Sequence, residues 1–195
     1  MSRESDQWRK RLARVLLQIV QEGGEFELDG LGRFLPGANE ELGFFPELKA
    51  RVFIAYVDED QEGAASIYDS LSAHGFQPWM DKKKLLPGQN WPRAIDAAIQ
   101  TSDFFIACFS KRAAGKRGSF HSELRYALEC AARVPLDEIF LIPVRLEDCI
   151  VPPRISAQTQ YVDLFPDWND GITRILRVLR EQEKLRNGKR LLLAG

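Results

Sequence analysis

The chain has 195 residues, enough for one ordinary domain and a short extra element. Lys+Arg total 27 against Asp+Glu 28, a formal net charge of −1, which argues against direct nucleic-acid binding and against a basic membrane-binding surface. No apolar run approaches the roughly 18 residues of a membrane span, the polar start MSRESDQWRK is not a signal peptide, and Cys108, Cys130 and Cys149, odd in number and without metal spacing, fit a reducing cytoplasm.

Residues 8–20, WRKRLARVLLQIV, put Trp8, Leu12, Val15, Leu16, Ile19 and Val20 on one helical face, and Gly23-Gly24 stop the helix. EFELDGLGRF then alternates and turns as a small hairpin. Residues 35–49, with two prolines and two glycines, read as a connector. The sequence thus divides into an N-terminal helix and hairpin over 1–49, a main domain over 50–182 and a charged C-terminal tail over 183–195.

From residue 51 the pattern changes. RVFIAYV predicts a strand. The next helix carries Ala64, Ile67, Tyr68 and Leu71 on one face, with Gly75 as its stop. FQPWM is a short strand, and Pro87-Gly88 lie in the loop after it. NWPRAIDAAIQ is a helix with Pro92 near its first position. DFFIACFS predicts a strand, GSFHSELRYALECAA a helix, EIFLIPVRL and QYVDLF two more strands, and NDGITRILRVLREQEKL a closing helix. FFIACF and IFLIPV are apolar throughout, as strands covered on both faces are. The expected fold is α/β: a flavodoxin-like, doubly wound, five-stranded parallel sheet with a small N-terminal extension. Ligands of such sheets bind beyond the carboxyl ends of the strands, here at Tyr56–Asp58, Trp79–Asp81 and Cys108–Ser110.

The loop YVDEDQEG has neither a dinucleotide fingerprint nor a P-loop, His74 and His121 are isolated, and no metal site is expected. On the helix after the third strand, the ~100° step per residue gathers Phe120, Leu124, Ala127, Leu128 and Ala131 into a buried stripe. Glu129 points away from the stripe. Glu123 lies about 85° from its centre, where a carboxylate reaches a cleft yet stays partly desolvated.

The ordered set RVFIAYVDED, FQPWMDKKKLLPGQNWPRAIDAAIQTSDFFIACFS and SFHSELRYALE resembles the TIR (Toll/interleukin-1 receptor) domain in its bacterial form, over residues 50–180. The resemblance implies cleavage of NAD+ at the nicotinamide–ribose bond, to ADP-ribose or a cyclic isomer, in a cytoplasmic effector of antiphage immunity. NAD+ is then substrate, and no cofactor is implied. The family's catalytic glutamate aligns with Glu123, and its substrate-packing aromatic with Trp79. Around them Tyr56, Asp58, Asp81, Ser110, Ser119 and Tyr126 are the implied substrate-binding residues. The loop with Leu85, Leu86, Pro87 and Gly88 matches the surface through which TIR domains assemble. The implied partners are further TIR domains and a sensor protein, activator protein or nucleotide signal.

Two positions depart from the enzymatic pattern: Ser119 stands where Trp or Tyr is common, and Tyr56-Val57-Asp58 where a basic or polar residue often follows the first strand. They point to the alternative, a non-catalytic scaffold acting through TIR–TIR contacts. The basic runs 82–84 and 111–117 read as solvated loops or as cations facing the NAD+ diphosphate. The N-terminal segment resembles the HU family of DNA-binding proteins without its long basic arms, a remnant suited to self-association or partner docking.

Overall fold

A computed structural model of the chain describes residues 18–19, 26–28, 32–36, 42–46, 49–81, 90–115, 119–135 and 137–194. The chain forms two compact units, Met1–Lys49 and Ala50–Gly195.

In the first unit, β1 (Phe26–Leu28), β2 (Gly32–Pro36) and β3 (Leu42–Pro46) form an antiparallel sheet in that order. The hairpin expected at residues 25–34 is there, but the connector expected over 35–49 is not. It contains β3, which pairs with β2 from Gly32↔Pro46 to Pro36↔Leu42. Pro36 and Pro46 read as loop residues in the sequence. Each stands at the last position of its strand, where a residue without an N–H is tolerated.

The second unit carries β4 (Arg51–Ala55), β5 (Gln77–Trp79), β6 (Phe104–Phe109), β7 (Leu141–Arg145) and β8 (Val162–Asp163). All neighbouring pairs are parallel, in the order β5-β4-β6-β7-β8, so the flavodoxin-like winding read from the sequence is the winding of the chain. The six residues of β6 are all buried, because both faces of the sheet are covered. Alternate residues serve two cores. Val52, Ile54 and Tyr56 pack with α1 (Gln61–Ala73) and α6 (Trp168–Ala194). Phe53, Ala55 and Val57 pack with α2 (Trp91–Gln100) and α4 (Ser119–Ala131). Between these run α3 (Lys111–Gly115) and α5 (Pro153–Ser156), two short helices the periodicity did not reveal.

The helix ends follow local chemistry. Asn90 caps α2 by accepting the Arg93 N–H at 3.2 Å, and Pro92 sits in its first turn. Gly75, at φ +90°, turns the chain after α1. The closing helix runs on to Ala194, so residues 183–194, expected as a tail, continue α6. Arg186 there donates to Glu138 and to the carbonyls of Asp103 and Ile139. Among the described residues no helix is long and apolar enough to cross a membrane.

Gly171 sets how closely α6 approaches β8. A Cβ there would lie 2.5 Å from the Asp163 carbonyl oxygen and 2.5 Å from Leu164 Cδ2. The backbone oxygen does not give way without moving the strand. Gly171→Ala is therefore expected to destabilise the domain by about 1–3 kcal/mol, read as a lower urea midpoint; an unchanged midpoint would show that helix and strand separate easily.

Candidate active site

The carboxyl ends of β4 and β5 bring two of the expected residues together, Tyr56 and Asp81. Tyr56, one residue past β4, is 8% exposed and rooted in the core under α1 and α6. Its hydroxyl donates to Asp81 Oδ1 at 2.5 Å. Asp81 follows β5 by two residues and is partly buried. Glu123, on α4, is partly buried as its place at the edge of the helical stripe requires, whereas Glu129 is exposed. Phe120, Leu124 and Ala127 of that stripe are buried. The Glu123 carboxyl has its pKa pushed up to about 7, first by burial and then by the negative charge of Asp81. Tyr56 and Asp81 thus form a bonded pair at the end of the sheet where doubly wound folds bind ligands, and the Asp81 charge acts on Glu123.

The remaining expected residues have other surroundings. Trp79 is partly buried against the α2/α4 core and stacks on Phe53, centroids 4.7 Å apart and planes 17° apart. Phe53 stacks in turn on Phe105 at 5.2 Å. Trp79 therefore belongs to an aromatic tier that continues into the core. Tyr126 also packs in that core, and its hydroxyl accepts from Gln100 Nε2 on α2. Ser110 is buried; its hydroxyl donates to Asp60 Oδ2 at 2.5 Å and accepts the Ala113 N–H at 3.1 Å, tying the end of β6 to the 3-10 turn Asp58–Asp60. Asp58 opens that turn and is exposed. Ser119 is the first residue of α4, one helical turn before Glu123. Leu85, Leu86, Pro87, Gly88 and the lysines at 82–84 lie outside the described residues. The basic run from 111, expected as loop, begins as α3. Lys111 there faces Glu147 at 3.8 Å, and Arg112 donates to the Glu59 carbonyl at 3.2 Å.

Sequence reasoning missed two features. Asp81 was expected as a substrate contact, but its charge also acts on Glu123. Phe53 was expected only as a strand residue, yet it supports the Trp79 ring. The alternation of β4, which sends Phe53 to the α2/α4 face, was the available signal; Trp79 reaches the same face through the register Phe53↔Trp79 with β5. Away from this group, a cavity of about 660 Å³ opens at the amino-terminal end of the sheet, between Ile99, Asp103, Cys130, Glu138, Phe140 and Arg186. Arg186, which lines it together with Arg133, is the one bonded to Glu138 and two carbonyls, an anchor for α6.

The raised Glu123 pKa has a measurable cost. A carboxyl raised from 4.5 to about 7 holds its proton more tightly folded than unfolded. The contribution of this group to stability is therefore greatest below about pH 4.5 and is lost as pH climbs through the interval to about 7. Complete burial would make this about 3 kcal/mol; partial exposure lowers it to about 1–2 kcal/mol. Glu123→Gln, neutral and nearly isosteric, is expected to raise the melting temperature at pH 8 and to confer no gain at pH 4. Equal melting temperatures at pH 8 would mean that the carboxylate is fully solvated.

Comparison with known proteins agrees with this topology. A family model for the TIR domain matches residues 52–176. The uncharacterised protein y4cD of Sinorhizobium fredii (strain NBRC 101917 / NGR234) is 26% identical over 128 residues, 66% of this chain, but the chain spans only 20% of that relative's length. The TIR domain of the Toll-related receptor TRR-2 of Hydra magnipapillata superposes with a TM-score of 0.54 at 23% identity, covering 68% of this chain and 97% of that one. The TIR domains of the activated Roq1 resistosome, which directly recognises the pathogen effector XopQ, give 0.53 at 20% identity, covering 67% and 99%.

Proposed function

We propose that this chain, which belongs to the TIR domain family, is an NAD+ glycohydrolase with Glu123 as its catalytic carboxylate. The observation that carries the reading is Glu123 itself. It is a partly buried carboxyl on the helix after the third strand of the parallel sheet, its pKa pushed up to about 7 by burial and then by the charge of Asp81.

The chemistry needs little more. The nicotinamide of NAD+ is cationic, so the bond from its ring nitrogen to ribose C1′ breaks with the electron pair going to nitrogen, and nicotinamide leaves neutral without a general acid. Positive charge develops on the ribose. An ionised Glu123 stabilises that oxocarbenium-like state, and a carboxylate in a partly desolvated site does so more strongly than one in water. Water then adds at C1′ and loses a proton, giving ADP-ribose. If a nucleophile within the ADP-ribosyl group attacks instead, the product is cyclic. Trp79, backed by Phe53, supplies an aromatic face for the pyridinium ring.

Activity depends on assembly in this reading. The Roq1 TIR domains of similar fold work within a resistosome that recognises a pathogen effector. An immune effector held inactive until partners bring copies together is the corresponding role here, with other TIR domains, an activator protein or a nucleotide signal as the partners. The test is incubation of concentrated, purified protein with NAD+, following nicotinamide and linear or cyclic ADP-ribose by chromatography. NAD+ consumed with stoichiometric nicotinamide supports the reading; NAD+ untouched by self-associated protein rejects it.

A non-catalytic TIR scaffold is the second reading, and one observation favours it. All three aromatics expected at the substrate already have intramolecular partners, Trp79 on Phe53, Tyr126 with Gln100 and Tyr56 with Asp81.

A further inference from the structure

We propose that the cavity at the amino-terminal end of the sheet is a binding site for a small anionic amphiphile, an apolar body that carries one carboxylate or sulfonate. The site stands whether or not the chain cleaves NAD+.

Three observations support it. The first is size: about 660 Å³ is the volume of a pocket that holds a small molecule. The second is the floor. Ile99 and Phe140 are buried members of the α2/α4 core, Cys130 and Val134 pack against that core, and all four line the cavity. Apolar surface in such a recess is covered favourably by any apolar body that fits. The third is the charge pattern. Arg186 bonds Glu138 through Nε at 3.0 Å and stands 3.8 Å from Asp103 Oδ1. The other oxygen of Asp103 accepts the Arg51 N–H at 2.8 Å. The polar groups of α2 at the wall are also engaged: Gln100 Nε2 donates to the Tyr126 hydroxyl, and just beyond the helix Ser102 Oγ donates to the Ala98 carbonyl at 2.7 Å. Arg133 differs from these. It is exposed, and among the described residues no carboxylate is bonded to its guanidinium. Its N–H donates to the Cys130 carbonyl at 3.0 Å, and its charge is felt at the Cys130 thiol, so the cation stands by the cavity wall.

These features select a ligand class. The floor calls for a molecule that is apolar over most of its surface. The open cation at the rim calls for one anionic group, placed at an end of that molecule where Arg133 can meet it with charge-assisted hydrogen bonds. A cationic ligand would have to compete with Arg186 for Asp103 and Glu138. A ligand that fills the cavity also lies against Arg186, which holds α6 to the amino-terminal ends of β6 and β7. Occupancy is therefore expected to stabilise the fold in proportion to ligand concentration.

The experiment uses the full-length protein and two fluorescent probes: anilinonaphthalene sulfonate, an aromatic body with one anionic group, and phenylnaphthylamine, the same rings without the sulfonate. Saturable binding of one sulfonate probe per folded chain is expected. The protein's own thiols locate it. Cys108 and Cys149 are buried, so Cys130 is the thiol open to N-ethylmaleimide, followed by mass spectrometry. At ten times its dissociation constant the sulfonate probe is expected to slow alkylation of Cys130 about tenfold. Arg133→Glu, at an exposed position that the fold does not depend on, is expected to weaken the sulfonate probe about fivefold or more and to leave the uncharged probe within about twofold. Absence of saturable binding would overturn the proposal. So would a bound probe that leaves Cys130 alkylated at its free rate, since the probe would then sit elsewhere. Equal effects of Arg133→Glu on both probes would overturn the choice of an anionic ligand.

Discussion

Replacing Glu123 by glutamine is expected to lower the rate of NAD+ cleavage by about 10²–10³-fold while leaving the affinity for NAD+ within a few fold. That factor is what removal of one preorganised electrostatic group from a water-poor site typically costs. Glutamine keeps the size and shape of the side chain, and its stability is expected to equal or exceed that of wild type at pH 8. A loss of rate therefore cannot be traced to unfolding. The charge matters because it is matched to the transition state: NAD+ carries its positive charge on the pyridinium ring, and the charge moves to the ribose only as the bond breaks. A group that stabilises the ribosyl cation lowers the barrier without tightening ground-state binding, so the effect falls on kcat. The pH dependence follows with a definite sign. In the proposed mechanism Glu123 acts in its ionised form, and burial and Asp81 push its pKa up to about 7. The rate is accordingly expected to drop about tenfold per unit below that pH and to level above it. In Glu123→Gln, the residual rate loses this limb.

The second large effect concerns the far side of the sheet. Arg145→Ala is expected to destabilise the domain by about 2–4 kcal/mol, or roughly 5–12 °C in melting temperature. Arg145 ends β7 with its side chain only 15% exposed, and Asp163 on β8 is 32% exposed. The guanidinium binds both carboxylate oxygens, Nε to Oδ1 at 2.6 Å and Nη2 to Oδ2 at 2.8 Å. Its third nitrogen donates to the Cys149 carbonyl at 2.9 Å. The rings of Tyr161 and Phe165 lie 4.6 and 5.1 Å from it. The fork raises the arginine's already high pKa, chiefly through its hydrogen bonds to Asp163. Strand β8 is only two residues long, and the fork adds to the ladder and to the burial of Val162 and Leu164 in holding it in register. Truncation leaves Asp163 and the Cys149 carbonyl unpaired in a half-buried place. Arg145→Lys is expected to recover only a minor part, since a point charge does not reproduce the fork. Equal stability of Arg145→Lys and wild type would show that charge alone is responsible.

The fold was readable because it is written in runs of adjacent residues. FFIACF declares a strand covered on both faces, and Phe120, Leu124 and Ala127 declare the buried side of a helix; the resemblance to the TIR domain then agreed with the family match. Short elements were not readable. Strand β3 hides between two prolines, α3 within a basic run, and α5 behind Pro152-Pro153. Each is too brief for a period to show. The site divides in the same way. That Glu123 sits at the margin of its helix is a local fact, available from the 3.6-residue repeat. That Tyr56 bonds a residue 25 positions away, or that Tyr126 bonds one 26 positions away, is not. No periodicity encodes such pairings; the first arises where the carboxyl ends of β4 and β5 meet, the second where α4 packs on α2. The same holds for Trp79, whose stacking on Phe53 follows from the register Phe53↔Trp79 between β4 and β5.

The most direct test of the central claim is the release of nicotinamide from NAD+ by wild-type protein and by Glu123→Ala, side by side, at equal concentration and equal degree of self-association. Release by wild type with none above background from the variant is the expected result. Equal release by both would remove Glu123 from the chemistry, and no release by either would leave a TIR scaffold in place of an enzyme.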